Sequence, residues 1–226
     1  MNKNLILVTG ATGHLGKETI KQFVEDDFKV LALGRNAEKL FELDYEIASP
    51  LLITVKVDLS KPDEIKKFLD NHGPIGTLVH LAAEIDERDK PDNMLKNLNM
   101  TVPLLNYLFE NLEHIIYLST LEVYANANIP ITEMDDTIPE NYYGLGKLVC
   151  EKFIEVIAGS KELDVTIFRS STIYGPGEKI MRATTIFLDN ALKGKPIHIY
   201  GDGSDLRDYI FVSDAARAIV QGVKKK

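Results

Sequence analysis

Leu5-Ile6-Leu7-Val8-Thr9-Gly10-Ala11-Thr12-Gly13-His14-Leu15-Gly16 is the stretch whose reading decides the fold. Leu5 to Val8 show no polar alternation, which predicts a parallel strand buried on both faces. Lys17 to Val24 then resume apolar residues at helical spacing. Three glycines spaced by threes occupy the junction. Gly10 suits a tight turn, Gly13 lets backbone N–H groups approach a pyrophosphate, and Gly16 lets the helix pack close to the strand with its N-terminus facing the anion. Thr12, His14 and Leu15 fill the positions between them, so the whole turn is a candidate dinucleotide cradle. A glycine-rich connection that binds nothing has the same local pattern.

The chain has 226 residues, enough for one large domain or one and a half with a substantial core. Its 45% hydrophobic and 27% charged residues are those of an ordinary soluble protein. A formal charge of −8 argues against nucleic-acid partners and against an anionic membrane surface, both of which need Lys/Arg clusters. Cys150 stands alone, so no internal disulfide forms, which suits a reducing compartment. The first strand begins almost at once, leaving no room for a signal peptide, and no apolar run approaches the roughly 20 residues of a membrane span. The expected location is the cytoplasm.

Phe28 to Leu33 read as a second strand ending at Gly34-Arg35-Asn36, with a helix over Ala37 to Leu43. An adenosine ribose would lie there. An acidic residue would accept from a 2′-hydroxyl, whereas a guanidinium pairs with a 2′-phosphate, so Arg35 favours NADP over NAD. A solvated arginine at a strand end is the alternative. Leu51 to Val57 form a third strand ending in Asp58-Leu59, where Asp58 either accepts from an adenine amino group or caps the turn. Ser60 is the expected N-cap of the helix that follows. Ile75 to Ala83 make the fourth strand, in which His80 reads as a packed histidine and Leu81, Ala82 and Ala83 leave room for a cofactor. Met94 to Leu112 show a long helical pattern. This alternation predicts a Rossmann-type α/β fold: a doubly wound parallel sheet, helices on both faces, and ligands above the carboxyl ends of the strands. Asn126 to Asn141 is the longest irregular segment and a candidate active-site loop.

His114 to Leu118 form a fifth strand followed by Ser119 and Thr120, and Tyr143 stands four residues before Lys147. Helical spacing puts the phenol and the ammonium on one face, where the charge can lower the phenol pKa and let tyrosine exchange protons. A hydroxyl at the strand end would orient the substrate oxygen. Tyr142 is a competing phenol, but only Tyr143 has the four-residue spacing.

The Thr-Gly-x-x-Gly-x-x-Gly turn, the Ser119-Thr120 strand end and the Tyr143-x-x-x-Lys147 pair, in that order, resemble the extended branch of the short-chain dehydrogenase/reductase superfamily. That branch contains the NAD(P)-dependent sugar-nucleotide epimerases and dehydratases, and the resemblance covers nearly the whole chain. Alignment on Val123-Tyr124 puts Thr120 at the family's catalytic hydroxyl, with Ser119 just before it. His80-Leu81-Ala82-Ala83 is similar to the family's His-x-Ala-Ala segment, and Asn97 matches a helix asparagine with a structural role. Arg169-Ser170-Ser171-Thr172-Ile173-Tyr174-Gly175-Pro176 resembles the segment near the nicotinamide and sugar, with Thr172 where many relatives carry Asn. Arg207 matches the arginine that contacts the nucleotide diphosphate, although spacing alone equally allows a salt bridge to Asp205 or Asp208.

Three departures stand out: Ala125 replaces a glycine, Gly146 replaces a hydroxyl residue before the lysine, and Leu121 replaces the dehydratase aspartate, leaving Glu122 at the substrate without its partner. The resemblance implies a single NAD(P)-binding domain over 1–226, with about 165–226 carrying part of the substrate region. It also implies that the smaller C-terminal substrate lobe is mostly absent, that a homodimer forms, and that no metal is bound. The implied activity is epimerisation of a nucleoside-diphosphate sugar through a transient keto intermediate. An NADPH-dependent keto-sugar reductase and a non-catalytic dinucleotide sensor are the alternatives, and the joint presence of Thr120, Tyr143 and Lys147 speaks against the sensor.

Overall fold

The computed structural model describes residues 5–72, 74–85, 89–124, 129–178 and 182–225. Ala125 and the first part of the Asn126–Asn141 loop lie outside them. Strand β1 (Leu5–Thr9) leads through the glycine turn into α1 (His14–Glu25), then come β2 (Lys29–Gly34), α2 (Ala37–Ile47), β3 (Leu52–Lys56) and α3 (Pro62–His72). The second half adds β4 (Thr77–His80), α4 (Pro91–Leu108), β5 (His114–Thr120), a 3-10 turn at Leu121–Tyr124, α5 (Tyr142–Ser160) and β6 (Asp164–Ser170). Six parallel strands pair in the order β3-β2-β1-β4-β5-β6. Beyond them β7 (Thr172–Tyr174) and β8 (Tyr209–Phe211) form a small parallel sheet, with α6 (Ala183–Leu192) between them and α7 (Val212–Lys224) closing the chain.

The unbroken apolar run of β1 follows from its place at the sheet centre. Ile6 and Val8 point to the face covered by α1 and α7, where they join Ile20, Phe23, Ala216, Ile219 and Val220. Leu7 points to the opposite face and joins Phe68, Leu104 and Ile154 from α3, α4 and α5. The outer strand β3 is only partly buried, and its residues are correspondingly mixed.

Boundaries differ from the sequence expectation where local turn chemistry intervenes. Helix α2 runs to Ile47, because Ala48, at φ 46°, provides the left-handed stop that Leu43 does not. Helix α4 starts at Pro91, which needs no hydrogen-bonding N–H in a first turn, and ends at Leu108, four residues before the expected Leu112. Ser60 does not serve as the expected cap of α3. The helix begins at Pro62, one residue later than a Ser60 cap would set it, and the Ser60 hydroxyl instead donates to Asp58 Oδ1 at 2.7 Å. No helix among the described residues is long and apolar enough to cross a membrane.

Gly146 explains itself through packing. A Cβ there would lie 2.9 Å from the Cα of Met94, so α4 and α5 cross at backbone distance. Gly146→Ser, which restores the family's hydroxyl residue, is expected to push these helices apart and lower stability by about 1–3 kcal/mol. A fall in the urea midpoint at unchanged m-value would report it.

Candidate active site

The glycine turn is built by close approach. Gly10 has φ +69°, and a Cβ on it would meet Ala82 N at 2.7 Å, while one on Gly16 would meet Gly10 O at 2.2 Å. Only hydrogen fits at either position. Ala11 N donates to Leu33 O, and a Cβ on Gly34 would touch the Thr12 side chain at 3.2 Å, so the turn is seated on the end of β2. Gly13 is the N-cap of α1 and supplies no side-chain acceptor, and no acidic residue occupies the first turn. The leading N–H groups of His14, Leu15 and Gly16 therefore form a helix N-terminus suited to an anion.

Beside it, one hydrogen-bonded chain fixes the strand ends. Ala82 N donates to Thr9 Oγ1 (3.2 Å), and Thr9 Oγ1 lies 2.7 Å from His80 Nδ1. His80 Nε2 lies 3.0 Å from Thr101 Oγ1, which itself donates to Asn97 O (2.8 Å). Since Thr101 spends its proton on Asn97, it accepts from His80, which places the imidazole proton on Nε2. Burial, aided by the Lys147 charge, pushes the imidazole pKa down to about 3. His80 is therefore a neutral structural residue, as its strand position predicts. Asn97 completes the clamp: its Oδ1 accepts from Glu84 N (3.1 Å) and its Nδ2 donates to Glu84 O (2.9 Å).

Asp58 takes the turn-capping alternative, with Oδ1 accepting from Ser60 N (3.0 Å) and Ser60 Oγ. The Ser60 hydroxyl is the main cause of its lowered pKa, and burial opposes that. Leu59 is buried beside it. Arg35 is exposed, and its guanidinium is 3.1 Å from Glu84 Oε2, a partner that its sequence context does not disclose.

The proton-transfer candidates gather where β5 meets α5. Gly144 brings the start of α5 onto the 3-10 turn, since a Cβ there would lie 2.6 Å from Glu122 O. Asn141 caps the helix by accepting from Gly144 N, and its amide donates to Glu122 Oε2, which gives Glu122 a partner. Lys147 is buried, donates to Leu118 O at 2.6 Å, and lies 4.7 Å from the Tyr117 ring centroid. Desolvation pulls its pKa down to about 8. Thr120 Oγ1 accepts from Glu122 N (3.2 Å), which leaves its own proton free to donate. Ser119 Oγ is buried with no hydrogen-bond partner among the described residues.

Tyr143 departs from expectation. Burial raises its phenol pKa, Glu122 raises it further, and the cation that lowers it is Arg182. The Lys147 ammonium is directed to the Leu118 carbonyl, so four-residue spacing alone does not make it the main influence on the phenol.

On the substrate side, Thr172 pairs in register with Tyr209, two residues after Arg207. Thr172 thus stands on the small sheet, and Arg207 in the loop that leads into it. Arg207 takes its salt-bridge alternative, 3.2 Å from Asp205, and is largely exposed. Arg169, by contrast, is held bidentately by the fully buried Glu151 and also donates to Tyr124.

The residues fit a dinucleotide: the glycines leave a cradle that a Cβ would fill, and Ser119 Oγ and His14 Nε2 are buried polar atoms without hydrogen-bond partners among the described residues. No metal-binding cluster occurs among the described residues.

Lys147 ties the site to stability. Its pKa of about 8 in the fold, against about 10.4 unfolded, corresponds to a penalty of about 3 kcal/mol while both states are charged. Between pH 8 and 10.4 the unfolded chain binds more protons, so this contribution to stability rises with pH. Lys147→Met is therefore expected to be more stable than wild type at pH 7, by an advantage that shrinks toward pH 10. Denaturant midpoints across that range would test it, and an advantage constant with pH would contradict it.

The model of the NAD dependent epimerase/dehydratase family matches residues 6–226. The chain is 29% identical over 229 residues to a dTDP-4-dehydro-6-deoxyglucose reductase of Escherichia coli, covering 96% of this chain and 72% of that protein. It is 28% identical over 237 residues to a dTDP-glucose 4,6-dehydratase of Haemophilus influenzae, covering 94% and 69%. Among solved structures, UDP-N-acetylglucosamine 4-epimerase from Methanobrevibacter ruminantium M1, in complex with UDP-N-acetylmuramic acid, is similar with a TM-score of 0.86 and 25% identity over 99% of this chain and 74% of that one. UDP-glucuronic acid 4-epimerase from Bacillus cereus, in complex with UDP-glucuronic acid and NAD, gives 0.83 and 26% over 98% and 74%. With the match running from the first strand to the end of the last helix, the chain belongs to the NAD dependent epimerase/dehydratase family and is an enzyme of that family.

Proposed function

We propose that the protein is an NAD(P)-dependent epimerase of a nucleoside-diphosphate sugar, working through a transient keto intermediate. The observation that carries this reading is the docking of the Tyr143–Lys147 helix on the Ser119-Thr120 strand end through the Lys147 contact with the Leu118 carbonyl. Tyr143 exchanges the proton of the sugar hydroxyl that becomes the ketone. Thr120, whose oxygen is already occupied by Glu122 N, donates to that same sugar oxygen and fixes its position. Burial and Glu122 raise the phenol pKa and the Arg182 charge offsets part of that rise, while Lys147 anchors the helix on the Leu118 carbonyl. When bound, the dinucleotide supplies reversible two-electron redox chemistry. Gly10, Gly13 and Gly16 with the start of α1 hold its pyrophosphate, Leu81 to Ala83 leave space across the sheet edge, and Arg35 receives a 2′-phosphate, favouring NADP. Thr172, Glu122 and Arg207 face the sugar nucleotide, Arg207 by exchanging Asp205 for a diphosphate.

A net reductase of a keto-sugar is the second reading, favoured by the similarity to the E. coli reductase. Turnover of nucleotide sugars without added cofactor supports the epimerase. Stoichiometric consumption of reduced cofactor supports the reductase.

Tyr143→Phe is expected to retain dinucleotide affinity and lose turnover by about two to four orders of magnitude, since it removes the exchangeable proton with little change of volume. Tyr142→Phe should be far milder, and equal losses in a kcat comparison would remove Tyr143 from the mechanism. Arg35→Asp is expected to weaken NADP about tenfold or more relative to NAD, because a phosphate partner becomes a like charge. An unchanged affinity ratio in cofactor titrations would end the 2′-phosphate assignment.

A further inference from the structure

The end of β4 presents a carboxylate to the end of β2 across the intervening strand β1. Glu84 Oε2 lies 3.1 Å from Arg35 Nη2, in a pair that joins residues 49 apart in sequence. Such a contact between two loose surface side chains would mean little, but Glu84 is not loose at its backbone. Asn97 holds both its N–H and its carbonyl, at 3.1 and 2.9 Å, and Asn97 is itself buried and anchored to Asn93 O at 2.8 Å. Upstream, Thr9 holds Ala82 N. The Glu84 side chain therefore leaves a fixed point, with its carboxylate two-thirds covered, while Arg35 remains mostly exposed at the far end of a flexible stem.

We infer that Glu84 sets the choice between a ribose 2′-hydroxyl and a 2′-phosphate by holding the Arg35 guanidinium that the phosphate needs. This rests on the proposed role of Arg35. A 2′-phosphate carries close to two negative charges at neutral pH and binds a guanidinium best through two N–H groups. To reach Arg35 it must displace a carboxylate and then remain beside it as a like charge. A 2′-hydroxyl meets the opposite situation, because it is a neutral donor and Glu84 is an acceptor. The same pair thus lowers NADP affinity while leaving NAD affinity intact or raised. An arginine at the end of β2 signals NADP when taken alone, whereas a glutamate held against it narrows that preference and leaves NAD a competent ligand. Since the pair is exposed, its weight is modest, and the expected effect is a change in preference rather than an absolute switch.

The test is calorimetric titration of NAD and of NADP into the full chain as wild type, Glu84→Gln, Arg35→Ala and the double variant, at one fixed low ionic strength. Glutamine keeps the length and the packing of residue 84, and the thermal midpoint of each apo variant checks that the fold is intact. Glu84→Gln is expected to raise the NADP/NAD affinity ratio about three- to tenfold. Arg35→Ala is expected to lower it, and the Glu84 substitution should add nothing on the Arg35→Ala background. If Arg35→Ala lowers the ratio and Glu84→Gln leaves it at the wild-type value, the inference is overturned while the role of Arg35 stands. If Arg35→Ala itself leaves the ratio unchanged, the role of Arg35 falls and takes the inference with it. An equal rise in the single and double variants would show Glu84 acting on the phosphate without Arg35, which also overturns the mechanism stated here.

Discussion

A neutral imidazole between two threonine hydroxyls holds the carboxyl ends of the central strands in one register. Thr9, His80 and Thr101 belong to β1, β4 and α4, and their hydrogen bonds run from Ala82 N at one end to Asn97 at the other. Every group in the chain is satisfied once the imidazole carries a single proton, which its burial enforces. A charged histidine here would make Thr9 Oγ1 accept from Nδ1–H as well as from Ala82 N, and the Thr9 proton would lose the imidazole nitrogen it now donates to. What depends on the chain is the cofactor side of the site: Ala82 presses on the Gly10 turn, and Glu84 is pinned by Asn97. The stacking of His80 on Tyr117, with centroids 5.8 Å apart, passes the same rigidity to β5.

On the other flank of Tyr117 the arrangement accepts an energetic cost. Lys147 is buried against the Leu118 carbonyl and the Tyr117 ring, and the burial disfavours its charge more than Cys150 and Glu151 favour it. It reaches Leu118 because Gly144 and Gly146 let α5 approach Glu122 and Met94 at backbone distance. Two glycines inside a helix weaken it intrinsically. Both are explained by closeness, and the closeness by where the lysine has to go. Stability given up at such a position is a recurrent mark of a functional group.

The parts legible in the sequence are those governed by local rules. The run Leu5 to Val8 and the glycines after it declare a buried central strand and a turn because burial on two faces and lack of room for a Cβ are local demands. Tyr143 and Lys147 were recognisable by helical spacing. The illegible parts depend on strand order. Glu84 meets Arg35 only because β2 and β4 flank β1, and a carboxylate just after the His80-Leu81-Ala82-Ala83 segment, facing an arginine at the end of β2, was the available signal. Gly146 reads as a mild departure until Met94 is placed against it. The direction of the Tyr143 pKa shift was also out of reach, since spacing discloses neither the burial that raises it nor the Glu122 charge beside it, and the Leu118 carbonyl claims the Lys147 ammonium.

The same logic ranks the arginines. Arg169 opens the segment that resembles the family's nicotinamide-proximal motif, yet it is committed: Glu151 is fully buried, grips it bidentately, and would be left as an uncompensated buried charge if a ligand drew the guanidinium away. Arg35 and Arg207 are different. Their carboxylate partners, Glu84 and Asp205, are accessible to water, and pairs of this kind contribute little to the folded state. Breaking them is correspondingly cheap, and phosphate oxygens replace carboxylate oxygens with the same geometry and more charge. An arginine that must greet an anionic ligand is best kept in a weak pair, which positions it and screens it from wrong partners without binding it too tightly to release. By that criterion the two exposed pairs are the ones a ligand phosphate could open at little cost, and the buried Arg169–Glu151 pair belongs to the scaffold.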